Sequence, residues 1–135
     1  MKIPILKLGQ VLLTSVQIDM TDQDALDFQD AVLTRVQETD AKGVVIDITG
    51  LDVVDSFLAR VFNDTAQMVR LLGAEVVVCG IRPAVALTLI EMGRELIGVE
   101  TALNLELGIE KLNQLIAGRT GVAKSTSDDS ESGNA

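Results

Sequence analysis

Three aspartates and a serine lie where a predicted strand gives way to a predicted helix: Asp47, Asp52, Asp55 and Ser56. In open α/β sheets, functional sites gather beyond the carboxyl ends of the strands, and this segment leaves such an end. Carboxylates there can bind a metal ion, or accept a phosphoryl group as in a receiver domain. The simpler interpretation is that they are solvated strand-end and capping carboxylates. We favour it, since the acidic pair and the lysine that a receiver site needs are not evident.

Ser56 offers a different chemistry from its acidic neighbours. Asp55 is a good N-cap candidate for the helix that follows, which would put the Ser56 hydroxyl in the first helical turn, near unsatisfied backbone N–H groups. A phosphoryl group on Ser56 would meet the positive end of the helix. A serine at a helix start is also an ordinary capping residue, so the residues alone leave both roles open.

The remaining residues indicate no catalytic set. The sequence has no histidine, which excludes Ser-His-Asp triads, histidine-ligated metal sites and imidazole acid–base chemistry. Cys79, the single cysteine, ends an apolar strand without basic neighbours, so we predict a buried and unreactive thiol. The turn at residues 80–83 could direct Arg82 at an anion, but a solvated arginine near a helix start is the ordinary interpretation. We therefore predict that the protein is not an enzyme and has no catalytic residues, metal or cofactor.

Composition narrows the classes of partner. The 135 residues include 11 Lys and Arg against 20 Asp and Glu, a net charge of −9 that opposes binding to nucleic acid or to an anionic membrane. Aromatic residues make up only 2% of the chain, too few for a platform that stacks bases. The sequence shows no cleavable signal and no apolar run long enough to span a membrane, so we expect a cytoplasmic protein.

Strand and helix patterns alternate along the chain. Residues 3–8 and 11–18 are rich in β-formers, and Gly9-Gln10 between them suits a type II′ hairpin turn. The β-branched runs at 44–48 and 75–79 are typical of strands covered on both faces, and two such strands joined through a helix should be parallel. A short strand is predicted at 97–99. Helices are predicted from about Asp22 to Thr39, from Asp55 or Ser56 to a stop at Gly73, and from Pro83 to a stop at Gly93, and a final helix is marked by Leu103, Leu107, Ile109, Leu112 and Leu115. The predicted buried face of the first helix is Ala25, Phe28, Val32 and Val36. That of the second is Leu58, Val61, Phe62, Met68, Val69 and Leu72.

The length fits one domain. We place it at residues 1–118, followed by a disordered polar tail at 119–135 that is rich in Ser and Asp. The order of elements predicts a small α/β fold, with a mixed β-sheet, an N-terminal hairpin and about four helices.

Two stretches carry a resemblance to a known family: VVIDITGLDVVDSF at 44–57 and LLGAEVVVCGIRPAVALTLIEMG at 71–93. They resemble the STAS domain of anti-sigma-factor antagonists, and more closely the small scaffold proteins of the bacterial stressosome. The segments KIPILKL at 2–8 and ETALNLELGIEKL at 100–112 fit as well. The resemblance therefore covers about residues 2–117.

This resemblance implies a function. In the family, an unphosphorylated STAS protein holds a serine/threonine switch kinase, and phosphorylation at a helix start releases the kinase until a phosphatase removes the phosphate. Matched position by position, Ser56 is the phosphorylation site, and Asp55, Ser56 and Phe57 bind the partner. The sensory paralogues also carry an N-terminal sensor domain. With its hairpin beginning at Ile3, this chain resembles the sensor-free core subunit, which forms homo-oligomers and hetero-oligomers with those paralogues.

Two alternatives stay open. A stand-alone anti-sigma-factor antagonist would share the fold and the serine but work by partner switching as a monomer or dimer. A receiver domain would instead carry an acid-labile, Mg²⁺-dependent phosphate on an aspartate.

Overall fold

The structure, a computed structural model, describes residues 3–17, 19–91 and 99–128, with side chains as far as Arg119. The helices and strands in these residues follow one another in the order β1 Ile5–Leu8, β2 Val11–Ser15, α1 Asp22–Thr39, β3 Gly43–Asp47, α2 Ser56–Leu71, β4 Glu75–Cys79, α3 Pro83–Glu91, β5 Glu100–Ala102 and α4 Leu105–Asp128. The predicted α/β class, with a mixed sheet and four helices, is confirmed.

The chain opens with the predicted hairpin. Strands β1 and β2 pair in antiparallel fashion, with Leu8 opposite Val11 across the turn. Gly9 has a φ of 62°, and Gln10 stays out of the left-handed region, which is the pattern of a type II′ turn. Both strands are shorter than the sequence indicates, and Ile18 lies outside the described residues.

The sheet has the strand order β1-β2-β3-β4-β5, and each pair from β2 onward is parallel. The predicted parallel pairing of β3 and β4 is confirmed. In this register Ser15 lies opposite Asp47, Asp47 opposite Cys79, and Cys79 opposite Ala102. The loops that leave β2, β3, β4 and β5 therefore start side by side at one edge of the sheet.

The core has two layers, one on each face of the sheet. Val44 and Ile46 pack with α1 and α2 on one face, while Val45 packs with α4 on the other. This alternation follows from the two-residue period of a strand. Strands β3 and β4 are therefore apolar on both faces, as the sequence indicates.

Two residues predicted on the buried face of α2 are exposed. Met68 is 39% exposed and Leu72 is 51% exposed, whereas Val61 and Val69 are buried. Met68 precedes Val69 by one residue and so is turned by about 100° from it around the helix. Leu72 is the C-cap residue and lies beyond the last turn. The assignment of both to the core is wrong.

The elements that follow α3 begin later than predicted. The strand expected at 97–99 is Glu100–Ala102, and residues 97 and 98 lie outside the described part, as does the predicted helix stop at Gly93. The last helix starts at Leu105, because the Asn104 side chain accepts a hydrogen bond from the Leu107 N–H at 2.9 Å.

Helix α4 continues past residue 118, where the sequence indicates the end of the domain, to Asp128. Arg119 still contacts the body of the domain: it donates to the Gly73 carbonyl at 2.7 Å and pairs with Glu75 at 3.4 Å. Residues 129–135 lie outside the described part. The boundary at 118 and the disorder of the segment beyond it stay predictions.

Across the described residues, no helix is both long enough and apolar enough to cross a membrane.

Candidate functional site

The loop between β3 and α2 carries most of the residues singled out in the sequence. Leu51 and Val54 are buried and hold the loop against the core, and the Leu51 N–H donates to the Ile48 carbonyl at 3.0 Å. Asp52 lies exposed between them, as does Val53, which is 70% exposed. The loop is therefore anchored at two points and presents the intervening side chains to solvent.

Asp47 fixes the point where the chain leaves β3. It is only 8% exposed, and one carboxylate oxygen accepts hydrogen bonds from the Thr49 N–H at 3.0 Å and the Thr49 hydroxyl at 2.5 Å. The Ser15 hydroxyl on the neighbouring strand donates to the other oxygen at 3.4 Å. A buried carboxylate needs such partners. Asp47 therefore organises the start of the loop and is not a solvated strand-end acid.

The next loop along the sheet edge braces this one. Gly80 has a φ of 74°, and a Cβ atom there would collide with the Thr49 hydroxyl and lie 2.8 Å from the Asp47 carboxylate. Only glycine combines that backbone conformation with so close an approach. Arg82, two residues later, forms an ion pair with Asp52. The β4–α3 loop therefore holds the β3–α2 loop in place at two positions.

Asp55, Ser56 and Phe57 form the start of α2. Asp55 has an extended backbone, and its carboxylate accepts a hydrogen bond from the Leu58 N–H at 2.8 Å, so the predicted N-cap is confirmed. Ser56 is the first residue of the helix and is exposed. Phe57 is half-buried and packs against the core. Within the described chain, the amides of Ser56 and Phe57 have no acceptor.

The three aspartates do not form one cluster. Asp47 is held by Thr49, Asp52 by Arg82, and Asp55 by the helix amide that it caps. In the part of the chain that the structure describes, no three acidic or cysteine side chains come together in a way that could hold a metal ion. This geometry gives no support to the metal-site and receiver-domain alternatives.

Cys79 is buried as predicted. Burial raises the pKa of its thiol to about 12, and the nearby Asp47 carboxylate adds to the rise. The thiol therefore stays protonated at neutral pH, the form that is a poor nucleophile.

Sequence reasoning missed several residues of this site. Thr49 and Gly80 gave no local signal, because their contact joins two loops that are separated in the chain by α2 and β4. The ion pair of Arg82 is missed for the same reason. The position of Arg60 on the same helix face as Ser56 could have been found from the sequence, because it lies four residues after Ser56 and residues at this spacing share one face of a helix.

Comparison with known proteins agrees with this architecture. The family model described as the STAS domain matches residues 2–105. This chain belongs to the STAS domain family. The mixed sheet and its four helices are a STAS fold.

Solved structures and curated sequences place this STAS domain near stressosome proteins. It is 41% identical to a structure of RsbS from Moorella thermoacetica in which a serine is replaced by glutamate, with a TM-score of 0.77 over 85% of this chain and 97% of that one. A chain in a structure of the stressosome, called a signal integration and transduction hub, is 42% identical, with a TM-score of 0.72 over 83% of this chain and 97% of that one.

A sequence relative is the RsbT co-antagonist protein RsbRA of Bacillus subtilis. It is 38% identical over 79 residues, which are 58% of this chain and 29% of RsbRA. The STAS domain described here therefore spans less than a third of that relative's length.

Proposed function

We propose that this STAS protein is a non-enzymatic scaffold subunit of a stressosome-type assembly, which sequesters a serine/threonine switch kinase and releases it when Ser56 is phosphorylated. The observation that carries the proposal is the 41% identity to RsbS over nearly the whole length of that protein, combined with an exposed serine at the start of α2. The replacement of a serine by glutamate in that RsbS structure adds a negative charge, as phosphorylation of a serine does.

The choice of Ser56 as phosphoacceptor is supported by access. Thr65 is fully buried, and its hydroxyl donates to the Val61 carbonyl at 2.6 Å. The Thr49 hydroxyl is bound to the buried Asp47. The Ser56 hydroxyl has no partner among the described residues and lies on an exposed helix start, where a kinase can reach it.

The same geometry supplies a mechanism for release. The kinase would dock on a surface formed by Ser56, the exposed Val53, the half-buried Phe57 and the capping carboxylate of Asp55. Phosphorylation adds about −1.5 to −2 charge there, beside Asp52 and Asp55. A kinase surface that packs on a neutral hydroxyl would then face unmatched, desolvated charge, and a loss of about 3 kcal/mol weakens binding more than a hundredfold.

Phosphosite mapping tests the assignment directly. After reaction with the switch kinase, we expect phosphate on Ser56 as the main site in the folded domain, and a phosphatase to remove it. The Ser56→Ala variant should take up almost none. Phosphate found mainly on Thr49, Thr65 or the C-terminal serines would contradict the assignment. An acid-labile, Mg²⁺-dependent phosphate would point to the receiver-domain alternative.

The proposed assembly rests on similarity and on exposed apolar surface. Leu71 and Leu72 are exposed at the end of α2 beside Met68, and a contiguous apolar surface is typical of a protein interface. We expect homo-oligomers and hetero-oligomers with sensory STAS paralogues. Because the net charge of −9 repels like copies, self-association should strengthen as salt screens that charge.

Mass measurement separates this proposal from the stand-alone antagonist. The protein is measured by light scattering at low and high ionic strength, alone and with a sensory paralogue. A large complex with the paralogue is expected. A strict monomer or dimer under every condition would favour a stand-alone anti-sigma-factor antagonist.

A further inference from the structure

A cation lies one helical turn beyond the proposed phosphoacceptor. Arg60 is four residues after Ser56 in α2, and both side chains are exposed. Residues at this spacing lie on the same face of a helix, with Cβ atoms about 5–6 Å apart. Helix side chains lean toward the N-terminus, so the Arg60 side chain can reach back along the face that carries Ser56.

Arg60 also has no bonding partner among the described residues. Within the described residues its guanidinium makes no hydrogen bond or ion pair, and Asp64, the next acid along that face, is not within ion-pair distance. Several other basic side chains do have partners: Arg82 with Asp52, Lys111 with Glu100, Arg119 with Glu75, and Arg35 with the Ile5 carbonyl. Arg60 is therefore available to a new anion without breaking an existing pair.

We infer that Arg60 is the intramolecular partner of the phosphate on Ser56, an inference that rests on the proposed phosphorylation of that serine. The planar guanidinium presents N–H groups in a fork that matches two phosphate oxygens at once. The order is favourable as well, since the anion lies nearer the N-terminus of the helix and the cation further along it.

The charges around Ser56 favour a phosphate position on the helix side, toward Arg60. Asp52 and Asp55 lie on the loop side of the helix start, and both repel a phosphate. Arg82 faces the same loop but is paired with Asp52. Arg60 and the more distant Asp64 lie on the helix side. The phosphate is therefore drawn along α2, away from the two carboxylates.

The contact changes the docking surface in two ways. Phosphorylation adds an anion at Ser56, and it also withdraws the free cation of Arg60 from any acidic group that a bound kinase presents there. Both changes act against the bound kinase.

The test uses phosphoserine incorporated at position 56 of the full chain during translation, so that no kinase is needed. Phosphorus NMR then follows the second ionisation of the phosphate, whose pKa is about 6 in an exposed phosphoserine. A cation in contact favours the dianion and lowers this pKa. The variants are Arg60→Gln, Arg60→Lys and, as a matched control, Lys42→Gln. Lys42 is exposed and precedes β3, and so lies at the opposite end of the sheet.

We expect Arg60→Gln to raise the phosphate pKa by about 0.3 unit or more, the shift that corresponds to a helix i,i+4 ion pair. Arg60→Lys should give a smaller rise, because an ammonium keeps the charge but loses the fork. Lys42→Gln should change nothing. Thermal melts of the unphosphorylated variants should match the parent, which shows that the fold is intact.

Two results would overturn the inference. Equal pKa values in Arg60→Gln and Lys42→Gln would mean that Arg60 makes no specific contact. A rise with Arg82→Gln but not with Arg60→Gln would place the phosphate on the loop side. A failure of the proposed function is seen separately, as a kinase that leaves Ser56 unmodified.

Discussion

The starts of α1 and α2 are built by the same device but differ in charge. At α1, the Thr21 hydroxyl accepts a hydrogen bond from the Asp24 N–H, and the Asp24 carboxylate accepts one from the Thr21 N–H, so the capping box is complete. At α2, Asp55 caps the Leu58 N–H, and the residue in the place of Asp24 is Leu58 itself, which is buried. The first turn of α1 contains two acids, and the first turn of α2 contains none.

This difference distinguishes a structural cap from a site that can accept charge. Asp22 and Asp24 already place negative charge at the positive end of α1. At α2 the first turn contains no acid, so the N-cap Asp55 supplies the negative charge at this helix end, and Ser56 exposes a hydroxyl. A phosphate is therefore better accommodated at Ser56 than at Thr21, although both are hydroxyl residues at a helix start.

The largest expected effect comes from adding one negative charge at each helix start in turn. Ser56→Ala should keep the switch kinase bound, whereas Ser56→Asp should weaken binding, toward the hundredfold loss argued for the phosphate itself. The matched control is Thr21→Asp, which adds the same charge and keeps a good cap. It should leave kinase affinity unchanged. Calorimetric titration measures the affinities.

Thermal melts of the same three variants complete this experiment. Their stabilities should agree within about 1 kcal/mol. Equal affinity of the Ser56→Ala and Ser56→Asp variants, or weak binding of Ser56→Asp only because it unfolds, would remove charge as the cause of release.

The loop that leads into α2 is tested by a pair of glycine substitutions. Gly80→Ala should lower the free energy of unfolding by about 2–3 kcal/mol, because it adds strain at a positive φ and a collision with Thr49. Gly73→Ala, also at a positive φ but with open space around it, should cost only about 1–2 kcal/mol. Urea denaturation measures both. Equal losses would mean that the loops are not braced at Gly80.

Removal of either cap should cost a similar free energy. Thr21→Ala and Asp55→Ala should each destabilise the domain by about 1 kcal/mol, while Thr21→Ser and Asp55→Asn should retain most of the stability. Only Asp55→Ala should also slow phosphorylation of Ser56, because it loosens the helix start that presents the hydroxyl. Urea denaturation and kinase assays measure the two effects. Slower phosphorylation of Thr21→Ala by the same factor would indicate a general loss of stability instead.

Low pH should reduce the stability that Asp24 gives to the start of α1, because Asp24 becomes protonated. Hydrogen bonds from the backbone and side chain of Thr21 hold the pKa of Asp24 below its ordinary value of 3.8. The folded state therefore binds the proton less readily than the unfolded state, so the stabilisation by ionised Asp24 is present above about pH 4 and is lost as the pH falls through the lowered pKa. Melts at pH 7 and pH 3 should show that the advantage over Asp24→Asn shrinks in acid. An advantage that is constant with pH would contradict this.

Truncation should have the smallest effect. A chain that ends before Gly121 keeps Arg119 and its contacts with Gly73 and Glu75. We expect it to melt at the same temperature and to enter the assembly with the sensory paralogue. A markedly lower melting temperature, or exclusion from the assembly, would show that residues 121–135 pack against the domain or bridge subunits.

Much of the fold could be predicted because its signals are local. The β-branched runs define β3 and β4, and the helical spacing of Ala25, Phe28, Val32 and Val36 defines the buried face of α1. The weaker predictions are at element ends. The spacing of apolar residues in α2 places Leu72 on the predicted buried face, but Leu72 follows the last residue of the helix and is 51% exposed.

For the candidate site, the sequence by itself determined that Asp55 caps a helix and that Ser56 follows it, because an N-cap and its helix are neighbours in the chain. Only the tertiary structure decided that Thr49 lies against Gly80 and that Asp52 pairs with Arg82. Those contacts join two loops that meet because parallel strands end at the same edge of a sheet. The residue types of one loop carry no information about which side chain of the other it will touch.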